Sequence, residues 1–150
     1  MRRCAPVSAT RWRATPSPYG ATATAHTVAA RQGARPPGLA NGVKFTAFNS
    51  YVLPDAGGVA TLATVAGSGI TTANNQGIWA VDADGTLQRI VRKGDKLDIA
   101  STQKTVTALK LFLALPYASG MGRNYATDGG LAFIANFSDG THAILRASFP

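Results

Sequence analysis

The stretch GGLAFIANFSDG, residues 129–140, decides how the rest of the chain is read. Between its Gly-Gly and Asp-Gly pairs, Leu131, Phe133, Ala135 and Phe137 fall at every second position. A period of two puts side chains on one face of a strand, so these four residues are expected in a core. Asp139-Gly140 supplies the positive φ angles of a tight hairpin turn, and HAILRAS at residues 142–148 is the returning strand. GGVATLATVAGSG at residues 57–69 has the same form, with Val59, Thr61, Ala63 and Val65 in the matching positions. One buried face is therefore expected in each copy.

Outward from these two stretches, the same grammar recurs. Asp84-Gly85 joins GIWAV, residues 77–81, to TLQRIV, residues 86–91, as a second hairpin. In TVTALKLFLAL, residues 105–115, Leu109, Leu111, Leu113 and Leu115 again lie at period two and read as a strand. Residues 116–124, with Pro116, Gly120 and Gly122, read as an exposed loop. A second pair of related segments, ARQGARPPG at 30–38 and VRKGDKLDI at 91–99, each follows an apolar run and leads into another. The spacing from Arg31 to Arg92 is 92 − 31 = 61 residues, and that from Gly57 to Gly129 is 129 − 57 = 72. The chain is thus expected to be all-β, with two tandem four-stranded antiparallel repeats at about 27–91 and 92–150, counting residues 27–31 as the first of eight strands. A partial β-propeller is one closure of such repeats. An eight-stranded sandwich or barrel is the alternative, since propellers take about 4 to 8 blades.

Charge divides the chain differently. The net charge is +8, but up to Pro54 there are seven basic residues and no acid, a balance of 7 − 0 = +7. From Asp55 onward eight basic residues face seven aspartates, 8 − 7 = +1. Residues 1–26, rich in Ala, Thr, Arg and Pro without an apolar period, are expected to form a disordered basic leader. The folded part, nearly neutral, lacks the clustered cations that nucleic-acid binding requires. No stretch reaches the roughly 20 apolar residues of a membrane span, and the leader has no apolar core of the secretory type.

Catalytic side chains are scarce. Glu is absent, His occurs only at His26 and His142, and the lone Cys4 excludes an internal disulfide and a multi-cysteine zinc site. Asp82-Ala83-Asp84-Gly85 has the outline of a calcium loop but lacks further acids, so a hairpin turn is the expected role. Arg92-Lys93-Gly94-Asp95, a triplet shape that could serve a partner, reads as a solvated turn, and Asn74-Asn75-Gln76-Gly77, whose amides could hydrogen-bond a sugar, as a loop and turn. Trp79, between Ile78 and Val81 in its strand, is expected in the core rather than as a ligand platform. His142 beside Ser138-Asp139 has a triad's composition without evidence of a triad's geometry. No catalytic or metal residue and no cofactor is assigned.

The segments RQGARPPGLANGVKFTAF (31–48), LPDAGGVATLA (53–63), ANNQGIWAVDADGTLQRIVRKGD (73–95) and NYATDGGLAFIANFSDGTHAIL (124–145) come in an order that resembles the bacterial choice-of-anchor tandem repeat proteins named for an NxxGxxAF motif. Gln32 and Ala34 stand where that family's first turn has acids, and Thr61 where it has an aromatic. The resemblance implies a secreted or cell-surface, extracytoplasmic protein with propeller-like β repeats. The expected function is a non-enzymatic module that contacts a surface, glycan or protein partner, with other β repeats of a longer chain or an oligomer beside it. The alternative is a hydrolase, such as a glycosidase, using Asp95, Asp128 or Asp139 as paired carboxylates.

Overall fold

A computed structural model describes residues 27–53, 58–111 and 130–148. The described chain is all-β, and the strands form two four-stranded antiparallel sheets. Sheet 1 is a meander of β1 (Lys44–Val52), β2 (Ala60–Ala66), β3 (Gln76–Val81) and β4 (Leu87–Arg92). Sheet 2 repeats the meander with β5 (Lys96–Ile99), β6 (Thr102–Lys110), β7 (Leu131–Phe137) and β8 (His142–Ala147). Both Asp-Gly hairpins form as the turn chemistry dictates, with Gly85 at φ 80° and Gly140 at φ 81°.

The two spacings found in the sequence hold at the level of individual hydrogen bonds. Gly33 N–H donates to Phe45 O at 2.8 Å and Phe45 N–H to Ala34 O at 3.0 Å. Sixty-one residues on, Gly94 N–H donates to Val106 O at 2.8 Å and Val106 N–H to Asp95 O at 2.9 Å. The β1–β2 register (Phe45↔Val65, Ala47↔Thr64, Phe48↔Ala63) recurs between β6 and β7 as Val106↔Phe137, Ala108↔Asn136, Leu109↔Ala135. A bulge follows Phe45 in one copy and Val106 in the other. In this scheme β1 corresponds to β6, β2 to β7 and β3 to β8. Hence β4, which precedes the second repeat's turn, is that repeat's lead strand, yet it hydrogen-bonds to β3 of the first.

Counted from the two segments that lead into the matching turns, residues 27–31 and β4, the repeat is one strand out of phase with the sheets, and the unit boundary expected at 91/92 moves to before β4. Residues 27–31, expected as the first strand, form no strand, and the eighth is β5 instead. The reason lies in the pairing available. β4 is ordered by β3, whereas no described strand lies beside residues 27–31; β5 arises because residues after the Arg92–Asp95 turn fold straight back along β6. β6 starts three residues earlier than expected and is described to Lys110, with Leu109 and Leu111 buried. Leu113, Leu115, the loop at 116–124, the leader, Cys4, His26 and Asp128 lie outside the described residues.

The sheets stack face to face around a core that includes Ala60, Leu62, Ile78, Ala80 and Val91 of sheet 1 and Val106, Leu109, Leu131, Phe133, Ala135 and Phe137 of sheet 2. A second core lies on the other side of sheet 1, where Leu39 and Val43 cover Phe45, Ala63, Val65 and Trp79. This corrects the expectation of one buried face per copy. β7 alternates as expected, but β2 is buried along both faces, because the 34–43 segment lies on one and sheet 2 on the other. Trp79 is completely buried, as its strand position requires. It meets Phe45 edge-on at 5.0 Å between ring centroids and donates its indole N–H to Pro37 O at 3.2 Å.

Candidate functional site

Strand direction sorts the candidate residues onto two ends of the stack. One end receives the C-termini of β2, β4 and β7. It therefore gathers the Gly67–Asn75 connection, the Arg92–Asp95 turn and the Ser138–Thr141 turn, and the β5–β6 hairpin extends from it. Asn74, Asn75, Lys93, Asp95, Ser138, Asp139 and His142 all come to this end, although they are far apart in sequence. Asp82 and Asp84 do not, because β3 carries them to the opposite end.

Each turn at the gathered end is held by its own polar side chains. Asn74 accepts from Thr71 N–H at 2.8 Å through Oδ1 and donates through Nδ2 to Gly69 O at 3.1 Å. Lys93 reaches across from the next turn to donate to Thr72 O at 2.6 Å. Asp95 accepts from Arg92 N–H at 2.8 Å and faces the Arg89 guanidinium at 3.5 Å. Asp139 accepts from Thr141 through both N–H and Oγ1 and pairs with Lys104 Nζ at 2.8 Å. Lys104 first, then the Thr141 hydroxyl and amide, hold the Asp139 carboxyl well below the usual carboxylate range. His142 is exposed at the start of β8.

At the other end Asp82 is likewise a turn residue. Its Oδ1 accepts from Thr86 N–H at 2.8 Å and Asp84 N–H at 3.1 Å, and its Oδ2 from Gln88 Nε2 at 3.0 Å. Gln88 leads the groups that depress its pKa, followed by the Thr86 amide. The calcium-loop outline is thus an Asx-type turn in which one carboxylate already holds three donors. Among the described residues, no three His, Cys, Asp or Glu side chains converge to hold a metal ion, and no helix is long and apolar enough to cross a membrane.

The tip of the β5–β6 hairpin was not legible in the sequence. Ala100 and Ser101 both take positive φ, 49° and 67°, in a two-residue turn between Ile99 and Thr102. Such turns ordinarily carry Asn-Gly or Asp-Gly, and each residue without that licence costs about 1–2 kcal/mol in the left-handed region. The Lys104–Asp139 pair was equally hidden, since nothing in their spacing of 139 − 104 = 35 residues announces it.

No curated protein and no solved structure matches the chain. Residues 16–146, most of the sequence, match DUF7453, a family of unknown function, and the chain belongs to that family.

Proposed function

We propose that this protein is a non-enzymatic, extracytoplasmic β-repeat module that contacts a surface polysaccharide or protein through the loops gathered at the Asn74, Asp95 and Asp139 end. The extracytoplasmic placement rests on the resemblance to the choice-of-anchor repeat proteins. The role of the loops rests on one observation: Asp82, Asp95 and Asp139 each spend their carboxylates on turn amides or on a neighbouring cation. A carboxylate held in this way, and kept ionised as Asp82 and Asp139 are, is poorly suited to donate a proton as a glycosidase acid must. What the same hydrogen bonds do well is stiffen loops. Stiff loops on a sheet scaffold present Thr71, Thr72, Ser101, Ser138 and Thr141 in fixed positions, the arrangement that recognition surfaces use.

A glycan array probed with the full chain tests this reading. Binding should weaken on changing Thr72 or Ser101 to Asp and should be indifferent to Asp84→Ala at the far end. Turnover in a panel of glycoside and ester substrates, abolished by Asp139→Asn or Asp95→Asn, would reverse it.

A further inference from the structure

We infer that the outer face of sheet 1 carries a binding strip for a neutral polysaccharide, in which the rings of Phe48 and Tyr51 receive the flat apolar faces of successive pyranose sugars. Phe45, Phe48 and Tyr51 recur at every third residue along β1, whereas a regular strand alternates its faces at every second. Two bulges, between Phe45 and Ala47 and between Phe48 and Ser50, each absorb one residue, so Phe45 lies opposite Val65, Phe48 opposite Ala63 and Tyr51 opposite Thr61. Val65 and Ala63 belong to the core on the side of sheet 1 away from sheet 2, and Thr61, two residues before Ala63, points the same way. All three aromatic residues therefore stand in file on that one face.

The file runs from the core out into solvent. Phe45 is buried, Phe48 is 40% exposed, Tyr51 64%, and Leu53, just past the strand, 71%. The Phe48 ring rests against Phe45 with centroids 5.3 Å apart, which fixes its position. Threonines of β2 pin both bulges: Thr46 Oγ1 donates to Thr64 O at 3.1 Å, Thr64 Oγ1 to Asn49 Oδ1 at 2.8 Å, and Thr61 Oγ1 to Ser50 O at 2.9 Å. The second repeat shows what the same position does when packing alone decides it. Leu109↔Ala135 matches Phe48↔Ala63, and Leu109 is an aliphatic residue buried between the sheets. Where that position meets water instead, the fold has no use for a large apolar side chain, and a rigidly held, half-exposed ring beside a second one marks a contact surface.

Charge and width choose the occupant. No charged residue occurs from Phe45 to Leu53 or in β2, so the strip itself has nothing to attract a nucleic acid, an acidic glycan or a charged peptide. A stable protein partner takes about 20 to 30 residues a side, far more than a single file of side chains provides. A polysaccharide chain is one sugar wide. Sugars with equatorial hydroxyls, as in a β-linked glucan or xylan, present a row of C–H groups on each ring face that packs on aromatic rings, while the Tyr51 hydroxyl and the exposed Thr46 and Asn49 offer polar groups to the sugar hydroxyls. The strip runs along β1 toward the Asp82 end of the stack, so it is separate from the Asn74, Asp95 and Asp139 loops and does not depend on what they contact.

Calorimetric titration of the full chain with cellohexaose and with xylohexaose is the test. At least one should bind, Tyr51→Ala should weaken that binding about tenfold, and Tyr51→Phe, which keeps the ring, should stay within about twofold of the wild type. Because Tyr51 is exposed, Tyr51→Ala should keep the wild-type circular dichroism. Phe48→Leu, which keeps apolar bulk against Phe45 but removes the ring, is the second variant and should weaken binding as well. Thr72→Asp, at the loops, should leave the titration unchanged. No heat with either oligosaccharide, equal affinity of the wild type and Tyr51→Ala, a loss caused by Thr72→Asp instead, or tighter binding of polygalacturonate than of the neutral probes would each overturn the inference. So would self-association in light scattering that Tyr51→Ala abolishes, which would give the face to a second copy of the chain.

Discussion

Ile78 and Ile144 are the same residue at the same place in two copies of one repeat, and they should respond to the same substitution very differently. Ile78 is fully buried between the sheets, beside Leu62, Ala80 and Val91. Ile144 is 73% exposed. Ile→Ala in a packed core costs about 2–5 kcal/mol, the removed methylenes and the cavity both contributing. At an exposed strand position only the intrinsic β preference is lost, up to about 1 kcal/mol. Because that preference is lost at both sites, the comparison cancels it and leaves a difference of roughly 2–4 kcal/mol due to inter-sheet packing. A domain of this size has about 5–15 kcal/mol in total, so Ile78→Ala should remain folded but be plainly weakened. Urea unfolding followed by circular dichroism is the measurement. With a slope of about 1–3 kcal/mol/M, the Ile78→Ala midpoint should fall about 1–2 M below that of Ile144→Ala. Midpoints agreeing within what about 0.5 kcal/mol allows would mean that the sheets do not share a core, and the stacking argument would fail with them.

Three other outcomes follow from particular contacts. Replacing Ala100-Ser101 by Asn-Gly fits residues to the positive φ of the hairpin tip and should stabilise the protein by about 1–2 kcal/mol in urea unfolding; an unchanged midpoint would mean the tip is not strained. Because Asp139 has a lowered pKa in the folded state, its contribution is complete above the ordinary carboxylate range and is lost as pH falls below about 4, so Asp139→Asn should flatten the acid side of the stability profile, and an unaltered profile would contradict the Lys104 pairing. Trp79→Phe keeps an aromatic against Phe45 but leaves Pro37 O without its donor and a gap beside it, for an expected cost of about 1–3 kcal/mol by the same measurement; a neutral result would place the indole outside the second core.

The hairpins were legible because their signals are local. Asp-Gly at 84–85 and 139–140 dictates its own turn, and the alternation in LAFIANF states which side chains face inward. The repeat was legible too, since each spacing compares like with like, and 61 and 72 reappear as hydrogen bonds and registers. What escaped depends on partners distant in sequence. The segment at 27–31 has as good a claim to be a strand as residues 87–92, but a strand needs a neighbour, and composition does not say whether one is present. The double burial of β2 was hidden for the same reason: ATLATVA reads as one apolar face until sheet 2 is placed over Ala60 and Leu62. The turn roles of Asp82 and Asp139 were readable from the Asp-Gly hairpins they belong to, and that of Asp95 from the Gly94 before it, whereas their sorting to opposite ends needed the strand directions.

The one-strand offset between sequence unit and sheet carries a consequence for stability. If each unit formed its own sheet, the two would meet only through side chains, and a cut between them would leave two finished faces. Here β4 belongs to the second unit by sequence and to the first sheet by hydrogen bonding, and the Arg92–Asp95 turn that follows it is fastened to both. Lys93 N–H bonds Gln76 O in sheet 1, while Gly94 N–H bonds Val106 O in sheet 2, so consecutive amides join different sheets. Neither unit can unfold without taking a strand or a core face from the other. Nearest-neighbour coupling of this kind makes repeat arrays cooperative, and here it runs through the backbone as well as through the apolar core.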